Sequence, residues 1–246
     1  MMPIKINFPI QKDDWWNIAI VGIGKMGREA VESLSQKAYQ LCRDVDVLSL
    51  FLTDDADFTI GRACEEIKHA DVLFSIVDGT EEKGVQTAYE MAKDRDGESS
   101  ICICYGEYSE SLKQCYDNLV LIDDDDLLDA VPILIANMMR RGLVGVDFAD
   151  VFCLLRETPL CVYEQFNLTN AAEIGKVFKK KPESIVNALV HITTPPSISL
   201  EDVNEIITAL YEVFQGPMVW NTHEDESCEH EGFQISMVYG KDGELL

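Results

Sequence analysis

Basic residues and long hydrophobic runs are both scarce in this chain of 246 residues. The chain has 20 lysines and arginines against 44 aspartates and glutamates, so its formal net charge at pH 7 is −24. Nucleic acids and anionic membranes are negatively charged themselves, and a surface this acidic argues against both as partners. No apolar run approaches the roughly 20 residues that a transmembrane helix needs. We therefore expect no nucleic-acid partner and no direct membrane contact.

The cysteine pattern and the first residues both indicate a cytoplasmic protein. The eight cysteines are dispersed, several lie inside apolar runs, and no CxxC pair occurs, which is typical of buried reduced thiols. The segment 1–16 lacks the basic-then-apolar plan of a secretory signal. His223, Cys228 and His230 lie within eight residues of one another, but their spacing fits no zinc pattern. We interpret that segment as a solvated loop and predict no metal site.

Hydrophobic segments alternate between the period of a strand and the period of a helix along most of the chain. Short apolar runs predict strands at 17–21, 45–52, 71–77 and 100–104, and a segment with helical character follows each of them. Hydrophobic residues make up 47% of the chain, which is enough to bury a sizeable core. Alternation of this kind predicts an α/β fold with a parallel sheet and helices on both faces.

A longer helical segment separates two halves of the chain. It begins at four consecutive aspartates, Asp123 to Asp126, whose charge suits the positive end of a helix. It ends near Arg141 and Gly142, which are residue types common at the C-termini of helices. We therefore predict three parts, which are a first domain over 1–125, a core helix over 126–142 and a smaller α/β domain over 143–246.

The first strand runs into a glycine-rich turn, Gly22-Ile-Gly-Lys-Met-Gly27, and a helix follows it. In this arrangement backbone N–H groups and the positive end of a helix face a phosphate, so the pattern is typical of dinucleotide-binding sites. The acidic residue expected in such a site is Asp54 or Asp55, which is farther along than the usual distance of about 20 residues. An alternative is a tight strand-to-helix turn that needs glycine only for its geometry.

A more specific pattern is the segment Gly142-Leu-Val-Gly-Val-Asp-Phe-Ala-Asp-Val151. It resembles the synergy loop of the FtsZ branch of the tubulin superfamily, whose pattern is N-x-D-x-x-D. The segments 18–31 and 188–206 resemble the family's first phosphate loop and the strand and helix of its second domain, and they follow in the family's order. The resemblance covers nearly the whole chain. It implies a Rossmann-like, GTPase-type domain with a parallel sheet, then a core helix and a smaller α/β domain.

The resemblance also implies roles for named residues. In the family, GTP lies between the subunits of a head-to-tail filament, and aspartates of the synergy loop activate water on the next subunit's nucleotide. Asp147 and Asp150 stand at those positions, whereas Gly145 replaces the family's asparagine. A carboxylate there can polarise water and hold a hydrated cation. The alternative is that Asp147 and Asp150 only cap the helix that follows.

On the nucleotide side, the resemblance implies a set of contacts for GTP or GDP, with Mg²⁺ beside the phosphates. The residues implied are Gly22, Gly24, Lys25, Gly27, Gly79, Thr80 and Asp125. The segment 77–86 departs from the family's glycine-rich phosphate loop, because it is shorter and places Glu81 and Glu82 where phosphates would bind. Like-charge repulsion and added side chains both weaken phosphate binding at such a loop.

These departures predict that the fold is kept while the nucleotide site is eroded. We expect a cytoskeletal or cell-division-related protein that binds and hydrolyses GTP weakly or not at all. It would act by contacts with its own copies or with another FtsZ-like subunit.

One alternative is an active, atypical GTPase that forms GTP-dependent filaments. A second alternative is an NAD-binding oxidoreductase of the Rossmann type, which only the glycine turn supports. Whether the chain is an enzyme stays open. The chain ends at Leu246, soon after the last predicted strand, so we expect no tail that recruits membrane adaptors.

Overall fold

The computed structural model describes most of the chain, and the structural statements below concern the residues that it describes. These are 4–7, 17–41, 47–53, 67–93, 95–123, 131, 134–135, 148–178, 185–225 and 232–241. The chain divides into two compact units, Met1–Arg140 and Arg141–Leu246.

The first unit is built around a mostly parallel sheet. Its described strands are β1 (Ile4–Asn7), β2 (Asn17–Ile23), β3 (Val47–Thr53), β4 (Val72–Asp78), β5 (Ser99–Tyr105) and β6 (Asn118–Ile122). Their order across the sheet is β1-β3-β2-β4-β5-β6. Each pair of neighbours runs parallel except β1 and β3, which run antiparallel at one edge.

Helices follow three of the strands of this sheet. They are α1 (Gly24–Leu41) after β2, α2 (Glu82–Ala92) after β4 and α3 (Glu110–Cys115) after β5. The helix α1 turns Ala30, Val31 and Leu34 inward, and all three are buried. Every residue of β5, and every residue of β4 except Asp78, is buried. A parallel sheet is covered on both faces, which explains why these two strands read as nearly continuous apolar runs.

A single arginine ties together the amino ends of β4 and β5. The Arg95 guanidinium donates to the carbonyl oxygens of Ile67 and Ser99 at 2.8 Å and to that of Asp71 at 3.4 Å. Burial lowers the pKa of Arg95, while nearby acidic groups oppose that shift. Arg95 thus links the segment before β4 to the start of β5, and it acts as a structural clamp at the end of the sheet away from the glycine turn.

The second unit has a mixed sheet. Its strands are β7 (Leu160–Leu168), β8 (Ile185–Thr194), β9 (Met218–Glu224) and β10 (Phe233–Lys241), in the order β7-β10-β8-β9. The central strand β10 runs antiparallel to β7 and β8, and β9 runs parallel to β8. The helices of this unit are α4 (Phe148–Arg156), α5 (Ile174–Phe178) and α6 (Leu200–Val213).

The two faces of this second sheet differ in polarity. On one face, apolar side chains such as Val190, Ile192 and Met237 pack with Ile206 and Leu210 of α6. The other face carries buried polar residues, among them His191, whose Nδ1 is hydrogen-bonded to the Asn221 amide oxygen.

A capping box begins the helix α6. The Ser199 hydroxyl accepts from the Asp202 backbone N–H, and the Asp202 carboxylate accepts from the Ser199 backbone N–H. Such a pair satisfies two donors that the first turn of a helix would leave without a partner. The sequence after Pro196 therefore carries its own signal for where this helix starts.

The predicted fold class is confirmed. The first unit is a Rossmann-like parallel sheet with helices, and the second unit is a smaller α/β unit. The strand β1 was not predicted, and the sheet of the second unit is mixed rather than parallel because β10 lies between β7 and β8. The predicted core helix over 126–142 is described only at 131, 134 and 135, so the predicted domain limits stay a prediction. Among the described helices, none is long and apolar enough to cross a membrane.

Candidate functional site

The carboxyl ends of β2, β4 and β5 meet at one edge of the first sheet. In the pairing of β4 with β5, Asp78 stands opposite Tyr105, so both strands end at the same level. The residues that follow, 24–28, 79–81 and 106–109, form what we call the carboxyl edge. Ligands of open α/β sheets bind outside this end of the strands, which makes the carboxyl edge the candidate site of this unit.

Two glycines of the turn after β2 are required by packing. A Cβ placed on Gly22 would lie 2.2 Å from the carbonyl oxygen of Gly27, and one on Gly27 would lie 2.6 Å from the carbonyl oxygen of Ile76. Carbon atoms do not approach oxygen so closely without a shift of the backbone. Gly22 and Gly27 therefore let α1 sit tightly on β2 and β4, which is the geometric alternative considered for this motif.

Gly24, the middle glycine of the motif, differs from the other two in its backbone conformation and in its neighbours. Gly24 begins α1 with φ +76°, a conformation that favours glycine. Apart from its chain neighbours and its own helix, Glu81 is the one described residue with atoms within 4 Å of a Cβ built there, with Oε2 at 2.8 Å. The next residue, Lys25, is exposed. Gly24 and Lys25 thus border the open part of the carboxyl edge.

The connection between β4 and α2 has only three residues, 79–81, and it is held by hydrogen bonds. The Thr80 backbone N–H and hydroxyl both donate to Asp78 Oδ1, at 2.8 and 2.6 Å. The Gly79 N–H donates to the Tyr105 carbonyl oxygen at 2.8 Å. A Cβ on Gly79 would lie 1.8 Å from the carbonyl oxygen of Glu107. Gly79 is therefore a packing glycine, and the Thr80 hydroxyl is already engaged with Asp78.

The connection after β5 contributes to the same packing. Its role was not predicted from the sequence. Gly106 has φ +76°, and the Glu107 carbonyl oxygen fills the space above Gly79. The Cys104 thiol beneath this contact donates to the Glu107 carbonyl oxygen at 3.5 Å. A glycine directly after a buried strand was the available signal for this turn. Its contact with Gly79 spans distant segments and leaves no local pattern in the sequence.

Acidic side chains predominate at the carboxyl edge and in the first turns of α2 and α3. The exposed carboxylates there are Glu81, Glu82, Glu107 and Glu110, and Asp78 is half-buried. The basic residues are the exposed Lys25 and Lys83 and the half-buried Arg28, which is paired with Glu32. A phosphate approaching this edge would therefore meet more negative than positive charge. The short connection carries Glu81 and the Thr80 hydroxyl already donates to Asp78, and both features oppose the binding of a phosphate that has no cation beside it.

The structure brings six of the predicted nucleotide contacts to the carboxyl edge or directly beneath it. The six are Gly22, Gly24, Lys25, Gly27, Gly79 and Thr80. Asp125 and Asp147 lie outside the described residues. Asp150 is exposed in the first turn of α4, in the second unit, where a carboxylate suits the positive end of the helix. Its position suits a partner contact and a helix-end role equally.

The predicted loop around His223 is only partly described. His223 lies on β9, and its ring stacks near that of His191 with 6.3 Å between the ring centroids. Cys228 and His230 lie outside the described residues. Within the part of the chain that the structure describes, no group of three or more potential metal ligands comes together.

Comparison with curated proteins shows weak similarity to archaeal cell division proteins. The chain is 26% identical over 132 residues to cell division protein FtsZ 2 of Pyrococcus furiosus, across 42% of this chain and 32% of that protein. It is 24% identical over 120 residues to cell division protein FtsZ 1 of Methanocaldococcus jannaschii, across 44% of this chain and 33% of that protein. The chain thus spans about a third of the length of these relatives. No family model matches the chain.

Comparison with solved structures shows the shared fold over nearly the whole chain. An empty FtsZ dimer of M. jannaschii superposes with a TM-score of 0.73 at 18% identity, covering 92% of this chain and 88% of that one. The GDP-bound CetZ1 monomer of Haloferax volcanii gives 0.62 at 14% identity, over 92% and 94% of the two chains. The CetZ2 protofilament of the same organism, bound to GTPγS, gives 0.55 at 15% identity, over 92% and 93%. The sequence matches show a weak similarity to archaeal FtsZ, and the solved structures show that the chain has the FtsZ/tubulin fold.

Proposed function

We propose that this protein is a cytoplasmic, tubulin-like cytoskeletal or cell-division subunit that acts by contacts with its own copies or with another FtsZ-like subunit. Its binding and hydrolysis of GTP are weak or lost. The observation that carries this proposal is the carboxyl edge, where Glu81 stands over Gly24. The fold that positions a nucleotide is present, whereas the surface that would receive its phosphates is acidic.

Two features of the carboxyl edge support weak nucleotide binding. The connection 79–81 offers one glycine, and Gly79 is used for packing against the Glu107 carbonyl oxygen. The backbone N–H of Thr80 donates to Asp78, so it is not free for a phosphate oxygen. A phosphate site in a glycine-rich loop needs several backbone N–H groups pointing at the ligand. Here the described N–H groups of Gly79 and Thr80 donate to the Tyr105 carbonyl oxygen and to Asp78 Oδ1.

Assembly through the second unit is supported by the solved relatives and by α4. The M. jannaschii FtsZ structure is a dimer, and the CetZ2 structure is a protofilament. In the pattern of the synergy loop, Asp147 precedes α4 and Asp150 lies in its first turn, where it is exposed. An exposed acidic residue at the start of a helix is available to a neighbouring subunit. The start of α4 can therefore contact a nucleotide that a partner subunit holds.

Mixing experiments with an FtsZ that polymerises with GTP test the assembly proposal. We expect the wild-type chain to change filament length and the rate of GTP hydrolysis, because it presents an Asp150 surface to the nucleotide end of the FtsZ subunit. Asp150→Lys should remove most of this effect, since it reverses the charge at the contact. Light scattering and phosphate release measure the two quantities.

Glu157→Lys is the matched control, because Glu157 is an exposed acid of the same unit that follows the last residue of α4. It changes the net charge by the same amount and should leave the effect of the chain unchanged. Filaments and hydrolysis that do not respond to the wild-type chain would contradict co-assembly. An Asp150→Lys variant as effective as wild type would contradict the assigned surface.

The second candidate function is an active, atypical GTPase of the same fold. The nucleotides in the CetZ structures, GDP in one and GTPγS in the other, favour it. Such an enzyme would have to use Gly24 and Lys25 with few other phosphate contacts, because Gly79 and Thr80 are engaged within the protein. The oxidoreductase alternative has only the glycine turn in its favour, and two of the glycines of that turn are explained by packing.

A further inference from the structure

The Glu81 side chain occupies a defined place over the start of α1. Its Oε2 lies 2.8 Å from the Cβ position of Gly24 and 3.4 Å from that of Gly84. Gly24 is the first residue of α1, a helix of 18 residues, and Gly84 lies in the first turn of α2, a helix of 11 residues. The carboxylate therefore stands between the N-terminal turns of two helices.

The side chains beneath Gly84 are apolar. A Cβ on Gly84 would lie 3.5 Å from a methyl carbon of Val77 and 3.6 Å from a methyl carbon of Ile23, at ordinary contact distance. Val77 and Ile23 are buried residues near the ends of β4 and β2. Gly24 and Gly84 have no side chains, and a Cβ added at either position would lie within 3.4 Å of Glu81 Oε2. We call the place between these two glycines the recess.

Glu81 and Glu82 are adjacent in the sequence but differ in position. Glu81 precedes α2 with an extended backbone, which directs it toward Gly24, and its side chain makes no capping hydrogen bond to α2. Glu82 is the first residue of α2 and is exposed, and it does not come within 4 Å of the Cβ position of Gly24. The two glutamates add equal charge to the carboxyl edge, yet only Glu81 stands in the recess.

A carboxylate is electrostatically favoured at this point because the N-terminal ends of two helices lie beside it. The first N–H groups of a helix have no partners within the helix, and the helix dipole places positive potential there. An anion is favoured at such an end, and here the chain supplies the anion itself. A ligand phosphate would have to displace Glu81 and would also be repelled by it.

We propose that Glu81 is an internal anion that closes a phosphoryl-binding recess between α1 and α2. This inference rests on the proposed weak binding of GTP, and it names the residue that causes it. Neutralising Glu81 removes the charge that repels a phosphate-bearing ligand from the recess, whereas neutralising Glu82 leaves that charge in place. The contact is autoinhibitory, because a side chain of the protein holds the position that the ligand would take.

Binding of inorganic pyrophosphate to the full chain tests the proposal. The chain is labelled with ¹⁵N-glycine, and the signal of Gly24 is identified by its loss in Gly24→Ala. We expect Glu81→Gln to bind pyrophosphate at least about tenfold more tightly than wild type at constant ionic strength, with the Gly24 signal shifting to saturation. Glu82→Gln is the matched control and should bind as wild type does.

Glu81→Asp provides a second variant that keeps the charge. Its carboxylate is withdrawn from Gly24 by one methylene group, so we expect affinity between those of wild type and Glu81→Gln. Equal affinity of Glu81→Gln and wild type would overturn the proposal, as would an equal gain in Glu82→Gln. Tight magnesium-dependent GTP binding by wild type would instead contradict the proposed function, so the two failures can be told apart.

Discussion

Gly22→Ala is expected to destabilise the first unit by about 3 kcal/mol, or to prevent its folding. The added Cβ would lie 2.2 Å from the carbonyl oxygen of Gly27, 2.6 Å from its carbonyl carbon and 2.9 Å from the Arg28 nitrogen. All three are backbone atoms in the first turn of α1, so no flexible side chain can move aside. The helix would have to lift away from β2, and buried residues such as Leu34 would lose contacts. Urea unfolding followed by circular dichroism measures the change.

Gly24→Ala is the comparison within the same motif. Among the described residues its Cβ would meet only the flexible end of Glu81, so the cost comes from holding alanine at φ +76° and should be about 1–2 kcal/mol. The expected order of stability is therefore wild type, then Gly24→Ala, then Gly22→Ala. If Gly22→Ala were as stable as wild type, the glycine turn would not be held by packing, and our interpretation of it would be wrong.

Gly79→Ala should cost a similar amount, about 3 kcal/mol or more. A Cβ at this position would lie 1.8 Å from the carbonyl oxygen of Glu107 and 2.8 Å from the Cys104 sulfur. The Gly79 N–H also donates to Tyr105, so a shift of the connection would break a hydrogen bond as well. The loss of stability should appear without any ligand present, because the contact lies within the protein.

Thr80→Ala serves as the control for this position. Thr80 is exposed, and its hydroxyl makes a hydrogen bond to Asp78 that is open to solvent, so we expect a loss of about 1 kcal/mol or less. Thermal and urea unfolding of the two variants provide the comparison. A Gly79→Ala variant that unfolds like wild type would show that the contact with Glu107 is absent in solution.

Much of the fold could be predicted from the sequence, because its signals are local. The apolar runs of β4 and β5 are almost completely buried, and the glycine turn lies where β2 passes into α1. The edge strand β1 has only four residues and pairs with β3 across a long stretch of chain, so no local pattern indicates it. The antiparallel position of β10 between β7 and β8 likewise depends on pairing between distant segments.

The candidate site could be predicted only in outline. The sequence placed Glu81 and Glu82 together near the phosphates, and the structure separates them by the direction in which each leaves the start of α2. The use of Gly79 depends on the Glu107 carbonyl oxygen, which belongs to another loop. Contacts of this kind are set by the packing of neighbouring strands, and residue types alone do not reveal them. The predicted roles of Asp125 and Asp147 stay predictions, since both lie outside the described residues.

Calorimetric titration of the wild-type chain with GTP in the presence of Mg²⁺ tests the central claim most directly. The acidic carboxyl edge and the Glu81 carboxylate beside Gly24 predict no saturable binding up to about 1 mM GTP, which corresponds to a binding free energy weaker than about −4 kcal/mol. Tight, magnesium-dependent and saturable binding of GTP would contradict the account, because it would show that the nucleotide site is intact.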